Sequence, residues 1–262
     1  PQGSPLEGKG LKRRLSFIAL SALGIAAASH ADLYSVVLDS YGAGKRQLVS
    51  VNSQFGWDFS SGTEQFYNVR ALEHNWVDTI SGEEYVTHCV EIYQGVTIDE
   101  SYDFTGTLIA DVPQTGGSWP GVMGFERALL VQDLYANYAS AANGAVIDTG
   151  IDPGLDIDDY GAAFQLMLWE ITHENFSATS ATDIAQQITF DLGAIQANAD
   201  LGVQAVLDDM FATLNDGVFD SAELEGWADP FAQDQTRLIP APGVMVALGL
   251  ALPISGRRRR RT

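Results

Sequence analysis

The chain has 262 residues, 46% of them hydrophobic and 18% charged, with a formal net charge of −20 and a single cysteine. That composition supplies enough apolar side chain for one substantial core or two small ones, and it argues against a disordered chain. One cysteine excludes an intramolecular disulfide, and the acidic balance excludes nucleic acid and anionic membrane surfaces as natural partners.

At the start of the chain, Lys12-Arg13-Arg14 precedes the apolar run Leu15 to Ala28, and Ser29-His30-Ala31 offers small residues at the two positions that a signal peptidase reads. This order predicts a secretory signal over residues 1–31, cleaved after Ala31. From Asp32 to about Val112 the pattern is β. Tyr34 to Ser40, Gln47 to Asn52, Phe66 to Leu72, Glu84 to Tyr93 and Tyr102 to Val112 are rich in Val, Tyr, Phe, Thr and Ile. Turn clusters at Tyr41-Gly42-Ala43-Gly44 and Ser60-Ser61-Gly62 are expected to separate them. The Glu84 to Tyr93 strand alternates, with Tyr85, Thr87, Cys89, Glu91 and Tyr93 on one face and Val86, His88, Val90 and Ile92 on the other. Cys89 is therefore expected on the more polar, solvent-approachable face.

A turn-rich linker, Pro113 to Gly121, closes this half. Helical spacing follows over Phe125 to Ala142, Asp183 to Phe190 and Val203 to Leu214, and the chain returns to the sheet at Thr236-Arg237-Leu238-Ile239. Between the first two helices, Asp156, Asp158 and Asp159 supply an N-cap and first-turn acids to Gly161-Ala162-Ala163-Phe164-Gln165-Leu166-Met167-Leu168-Trp169-Glu170-Ile171. A helix apolar on nearly every side belongs inside a domain. Gln165 in its middle needs hydrogen-bond partners or a chemical use, because an unsatisfied buried amide costs about 2 kcal/mol.

The end of the chain has three parts. Pro240-Ala241-Pro242-Gly243 is followed by the apolar run Val244 to Ile254 and then by Arg257 to Arg261. The apolar run is marginal for a bilayer span, and the arginines would stay cytoplasmic. Without residues 1–31 and 244–262 the chain carries 33 acids against five bases, a formal charge of −28.

Two resemblances give these features a common reading. Cys89-Val90-Glu91-Ile92 on a strand and Phe164-Gln165-Leu166-Met167-Leu168-Trp169-Glu170-Ile171 on a helix resemble the two signature segments of bacterial thioester domains. In that family a Cys thiol and a Gln carboxamide condense into an internal thioester, which implies Cys89 as sulfur donor and Gln165 as acyl donor. The tail resembles the PEP-CTERM sorting signal of Gram-negative bacteria, with alanine in place of the usual glutamate. That resemblance implies transient anchoring at the inner membrane and exosortase cleavage near Pro240 and Pro242. His88 departs from the first family's pattern, in which an aromatic or aliphatic residue precedes the cysteine.

The expected organisation is a signal peptide over 1–31, a thioester-type domain over 32–239 and a sorting signal over 240–262. The expected fold is α+β, a β-rich sandwich or barrel-like unit with a helical insertion, the cysteine strand and glutamine helix meeting at their interface. The expected function is that of an exported cell-surface adhesin, not an enzyme, which attaches covalently to an amine or hydroxyl of a surface protein or glycan. Trp169, four residues from Gln165, shares its helix face and would shield the bond. Two readings stay open beside this one: a non-covalent structural protein of the extracellular matrix or biofilm, with the thioester absent (Cys89 then a small buried hydrophobe) or only an internal staple, and a calcium-dependent carbohydrate-binding module.

Other constellations are weaker. Gln94, five residues after Cys89, is the runner-up acyl partner. The stretch Leu214 to Glu223 carries Asp216, Gly217, Asp220 and Glu223 at EF-hand-like offsets, but Ala212 and Leu214 fall on the first two ligand positions, so a helix C-cap turn is the better reading. The loop Asp152 to Asp159 serves equally as a calcium loop or an acidic N-cap. Ser118 misses nucleophile-elbow spacing because Pro120 stands where glycine should. His74, His88 and His173 lack metal-ligand spacing, and no cofactor or metal is expected.

Overall fold

Asp156 begins the element around which the body is packed. Its side chain accepts from the Asp159 N–H while the Asp159 side chain accepts from the Asp156 N–H, a reciprocal capping box that starts α2, Ile157–His173. Every residue of α2 from Asp159 to His173 is buried, as an all-round apolar helix requires. The computed structural model describes residues 32–51, 66–92, 94–114, 121–191 and 193–240.

The described strands are β1 (Leu33–Val51), β2 (Phe66–Asp78), β3 (Glu84–Cys89), β4 (Ser101–Leu108), β5 (Ile195–Asn198), β6 (Leu224–Ala228) and β7 (Gln235–Leu238). Three further helices are α1 (Gly124–Tyr138), α3 (Ala181–Ala185) and α4 (Leu201–Leu214). All pairings are antiparallel, in the order β2-β3-β7-β6-β4-β1-β5, and β1 also pairs with β2. The architecture is α+β, as expected, built on one seven-stranded sheet.

Several local expectations change. Tyr41-Gly42-Ala43-Gly44 is not a turn between strands. It is an irregular stretch inside one long strand, where the register against β2 shifts between Leu38 and Ser40 and again between Tyr41 and Gly44. Gly44 has φ 131°, open to glycine and strained for other residues. The irregularity admits α2. A Cβ on Gly161 would lie 2.4 Å from the Ala43 carbonyl carbon, and the Gly44 N–H donates to Asp158 Oδ1 at 3.1 Å. Lys45 completes the junction through ion pairs with Asp159 and Asp156.

The Cys89 strand ends at Cys89 and not Tyr93, β4 gives way to a 3₁₀ turn at Ile109–Asp111, and the expected helix over Asp183 to Phe190 is the shorter α3. α1 stops at Tyr138 because Ala139 turns extended and bridges to Val146. Two strands, β5 and β6, were not anticipated. β6 carries Glu225 and Gly226, poor strand formers, but a side chain on Gly226 would meet Val112 at 2.9 Å, so close packing selects glycine there. The Ser60-Ser61-Gly62 turn and most of the 113–121 linker lie outside the described residues.

The sheet separates two cores. One gathers α1, α2, α3 and α4 on Ala71, Cys89, Val90, Ile195 and their neighbours. The other is aromatic, with Val36, Leu38, Trp76, Phe104 and Trp227 fully buried. Edge-to-face packing of Trp76 on Phe104 at 5.3 Å and stacking of Phe104 on Trp227 at 5.6 Å organise it.

Replacing Gly161 by alanine should lower unfolding free energy by about 1–3 kcal/mol, because the new methyl meets backbone that cannot step aside. Urea denaturation of Gly161→Ala beside wild type measures it.

Candidate functional site

The alternation of β3 decides what happens at its end. The Val90 N–H donates to Asp234 O at 2.9 Å, on the side of β7. Alternation turns the N–H and C=O of Cys89 the other way, toward β2, whose last partner on β3 is Thr87 opposite His74. Gln165 occupies the vacant side. The Cys89 N–H donates to Gln165 Oε1 at 3.2 Å, and Gln165 Nε2 donates to Cys89 O at 2.7 Å. The carboxamide thus pairs with one residue of strand as another strand would, and it joins α2 to β3.

Both residues expected to react are therefore brought together, and both are buried: Gln165 fully, Cys89 with 2% of its surface exposed. The solvent-approachable face expected for Cys89 is not found. Thr87 is buried under Trp76 and Gln235, Glu91 is buried beside Asp234, and Cys89 lies in the core that α2 fills. Burial pushes the Cys89 thiol pKa well up, the nearby Glu91 carboxyl adds to this, and the Trp169 indole opposes it. The Trp169 N–H has no acceptor in hydrogen-bond geometry, so it lies near the sulfur without a formed bond. Gln94 is not paired with Cys89, and its Oε1 has no partner.

His88 serves a different network. Its Nδ1 lies 2.9 Å from the Tyr135 hydroxyl, its Nε2 lies 3.7 Å from Glu73, and its ring packs 4.5 Å from that of Phe164. Burial alone would raise the Glu73 pKa, but contact with His88 and the N–H groups of Val146 and Ala43 outweighs it and leaves the carboxyl more acidic. His74 is also structural. Gln235 Oε1 receives Thr87 Oγ1 at 2.9 Å and His74 Nδ1 at 2.8 Å, while Trp76 Nε1 donates to Thr87. Because Gln235 Nε2 is committed to Gln233 O, His74 must carry its proton on Nδ1.

Sequence reasoning missed Glu91 and Asp234. Glu91 is fully buried, with Oε1 accepting the Asp234 N–H at 3.2 Å and Oε2 without a partner. Burial first, and the Asp234 carboxylate second, push its pKa to about 8. Burial likewise raises Asp234 to about 6, against the N–H groups of Gln114 and Asp229. The one signal in the sequence was a carboxylate inside the apolar run Val90-Glu91-Ile92.

The remaining expectations sort simply. Asp156 is the α2 N-cap and Asp152 Oδ1 caps its own turn through Gly154 N–H. Asp216 Oδ1 likewise accepts from Val218 N–H beyond the end of α4. Among the described residues no group of three or more His, Cys, Asp or Glu could hold a metal ion, and no helix is long and apolar enough to cross a membrane. Ala31, Pro242, Ser118 and the apolar and arginine segments of the tail lie outside the described residues; Pro240 is the last described residue. No protein-family model, curated protein or solved structure matches the chain.

Replacing Gln165 by leucine should leave the Cys89 N–H and C=O unpaired in the core and cost about 2–4 kcal/mol, seen as a lower urea midpoint. A second expectation concerns pH. Folded Glu91 keeps its proton to about pH 8, whereas an unfolded glutamate loses it near 4.5, so its contribution to stability disappears as pH rises through 8. Buried His74, lowered to about 4, and His173, lowered to about 3, act oppositely and weaken the fold as pH falls below 6.5. Between pH 6.5 and 8.5 the histidines no longer contribute and the raised carboxyls Glu91 and Glu170 act in the same direction, so the urea midpoint should fall over that interval and Glu91→Gln should lessen the fall without abolishing it.

Proposed function

We propose that this chain is an exported surface protein in which Cys89 and Gln165 condense into an internal thioester that later attaches the protein covalently to a partner. The observation that carries this reading is the pair of hydrogen bonds that hold the Gln165 carboxamide on the main chain of Cys89. Proximity of this kind replaces a bimolecular encounter with an intramolecular one. The Cys89 N–H is also a donor on Oε1, where negative charge develops when sulfur adds to the carboxamide carbon.

The Cys89 sulfur bonds to the Gln165 Cδ, the Cδ–N bond breaks, and the thiol proton leaves with the nitrogen as ammonia. Attack by a lysine amine or a hydroxyl of a surface protein or glycan then forms an amide or ester at Cδ and returns the Cys89 thiol. Each chain reacts once, so this is a binder and not an enzyme, and it needs no cofactor. Burial keeps water from the acyl bond, with Trp169 over the sulfur.

Export by the 1–31 signal, cleavage after Ala31 by signal peptidase, and a 240–262 tail anchored at the inner membrane until an exosortase cuts near Pro240 and Pro242 would deliver the protein to the cell surface or extracellular matrix. The circuit of pairings from β2 through β3, β7, β6 and β4 to β1, and from β1 back to β2, supports the barrel-like form of the fold. A second reading has its own observation: the two hydrogen bonds already satisfy the Gln165 amide, so an unreacted Gln165 would serve as an internal clamp in a non-covalent structural protein of the matrix or biofilm.

Intact mass separates the two. Purified under mild conditions, the wild-type chain should be short by one ammonia, Cys89→Ala and Gln165→Ala should show their full masses, and methylamine should add to wild type alone. Full wild-type mass with unchanged Gln165 and a freely alkylated Cys89 would establish the clamp.

A further inference from the structure

Thioester formation at Cys89 needs a proton acceptor and a proton donor. Sulfur attacks as thiolate, and burial pushes the Cys89 thiol far from ionisation. Ammonia also leaves poorly unless the amide nitrogen is protonated. A single group that takes the thiol proton and returns it to that nitrogen would satisfy both demands.

His88 is adjacent in sequence but committed elsewhere, between Tyr135 and Glu73. Tyr135 bonds His88 and the Thr236 carbonyl. Glu91 is different. It lies two residues beyond Cys89 on the segment that continues alongside residues 233–235, where Gln233 Nε2 fixes its carbonyl and the Asp234 N–H fixes Oε1. Its Oε2 is a buried polar atom with no partner, and its carboxyl and the Trp169 N–H are the two side-chain groups that act on the Cys89 thiol. A buried carboxylate oxygen without a donor is a free acceptor, and this one belongs to the carboxyl that bears on the thiol.

We propose that Glu91 is the proton carrier of the Cys89–Gln165 pair. Oε2 accepts the thiol proton as the S–Cδ bond forms and delivers it to the Gln165 nitrogen as the Cδ–N bond breaks, so that ammonia leaves and Glu91 returns to its starting state. In the second stage Glu91 takes a proton from the attacking amine and gives it to the departing Cys89 sulfur. The inference rests on the thioester reading. A pKa near 8 lets one group serve as both base and acid around neutral pH. Among the described residues the titratable groups that bear on Glu91 and Cys89 are each other, Asp234 from the turn before β7 and Tyr135 from α1; from α2 the site receives Gln165 and Trp169, neither of which titrates.

The test uses the full chain, wild type and Glu91→Gln, which keeps the size of the side chain and an acceptor for the Asp234 N–H. Two quantities are followed by intact mass: the fraction lacking ammonia after synthesis, and the rate of hydroxylamine capture between pH 6.5 and 9, where this nucleophile is a free base. Glu91→Gln should form and open the bond about 100-fold more slowly. The wild-type rate should bend near pH 8, and the bend should vanish in the variant. Should Glu91→Gln fail to fold, Asp234→Asn decides: removing that negative charge should move the bend to lower pH. A wild-type chain at full mass would overturn the thioester itself. A wild-type thioester whose capture rate shows no bend, or one that Glu91→Gln forms and opens equally fast, would overturn the role of Glu91 and leave the thioester standing.

Discussion

The exchange of hydrogen bonds between the Gln165 carboxamide and the Cys89 main chain is the constraint on which the arrangement turns. A strand that outruns its neighbour exposes a donor and an acceptor, and in a core those groups must be paired. The pairing comes from a helix side chain and not from another strand. That choice fixes the rotation and depth of α2, since Gln165 can reach β3 only if Gly161, one turn earlier on the same helix, sits close on β1. The glycines at 44 and 161, the capping box at Asp156 and Asp159 and the ion pairs of Lys45 all serve that approach.

Charge is arranged in two tiers. The exterior carries the acid excess, and of the five basic residues in the body, Lys45, Arg127 and Arg237 are spent on internal joints. Arg127 donates to the Thr172 and Glu174 carbonyls behind the end of α2. Arg237 pairs with Glu225 and lies over the rings of Tyr34, Tyr85 and Trp227, closing the aromatic core from outside. Within the core the carboxyls diverge. Glu73 is held ionised by His88 and two N–H groups, whereas Glu91 and Glu170, poor in partners, are driven by burial toward the neutral form. The same residue type becomes a fixed anion or a proton store according to the donors around it.

The chain by itself determined the local features. A continuous apolar run behind three aspartates specified α2 and its cap, and β-branched and aromatic runs specified most of β1 to β4, because these signals act within a few residues. It also singled out Cys89 and Gln165, since a lone thiol and a lone amide stand out against apolar surroundings. Tertiary structure alone decided the rest. Tyr41 to Gly44 holds turn residues, yet pairing with β2 on both sides of the irregularity, Tyr41 with His74 and Gly44 with Leu72, keeps it in the strand. β5 and β6 are too short or too rich in Gly and Glu to announce themselves, and neighbouring strands impose their form. Alternation put Cys89 on a polar face, but polarity along a strand does not reveal which elements cover it. Burial of that face, the meeting of Gln165 with Cys89 across 76 positions of sequence, and the solitary Oε2 of Glu91 all depend on contacts between distant segments, which no local pattern encodes.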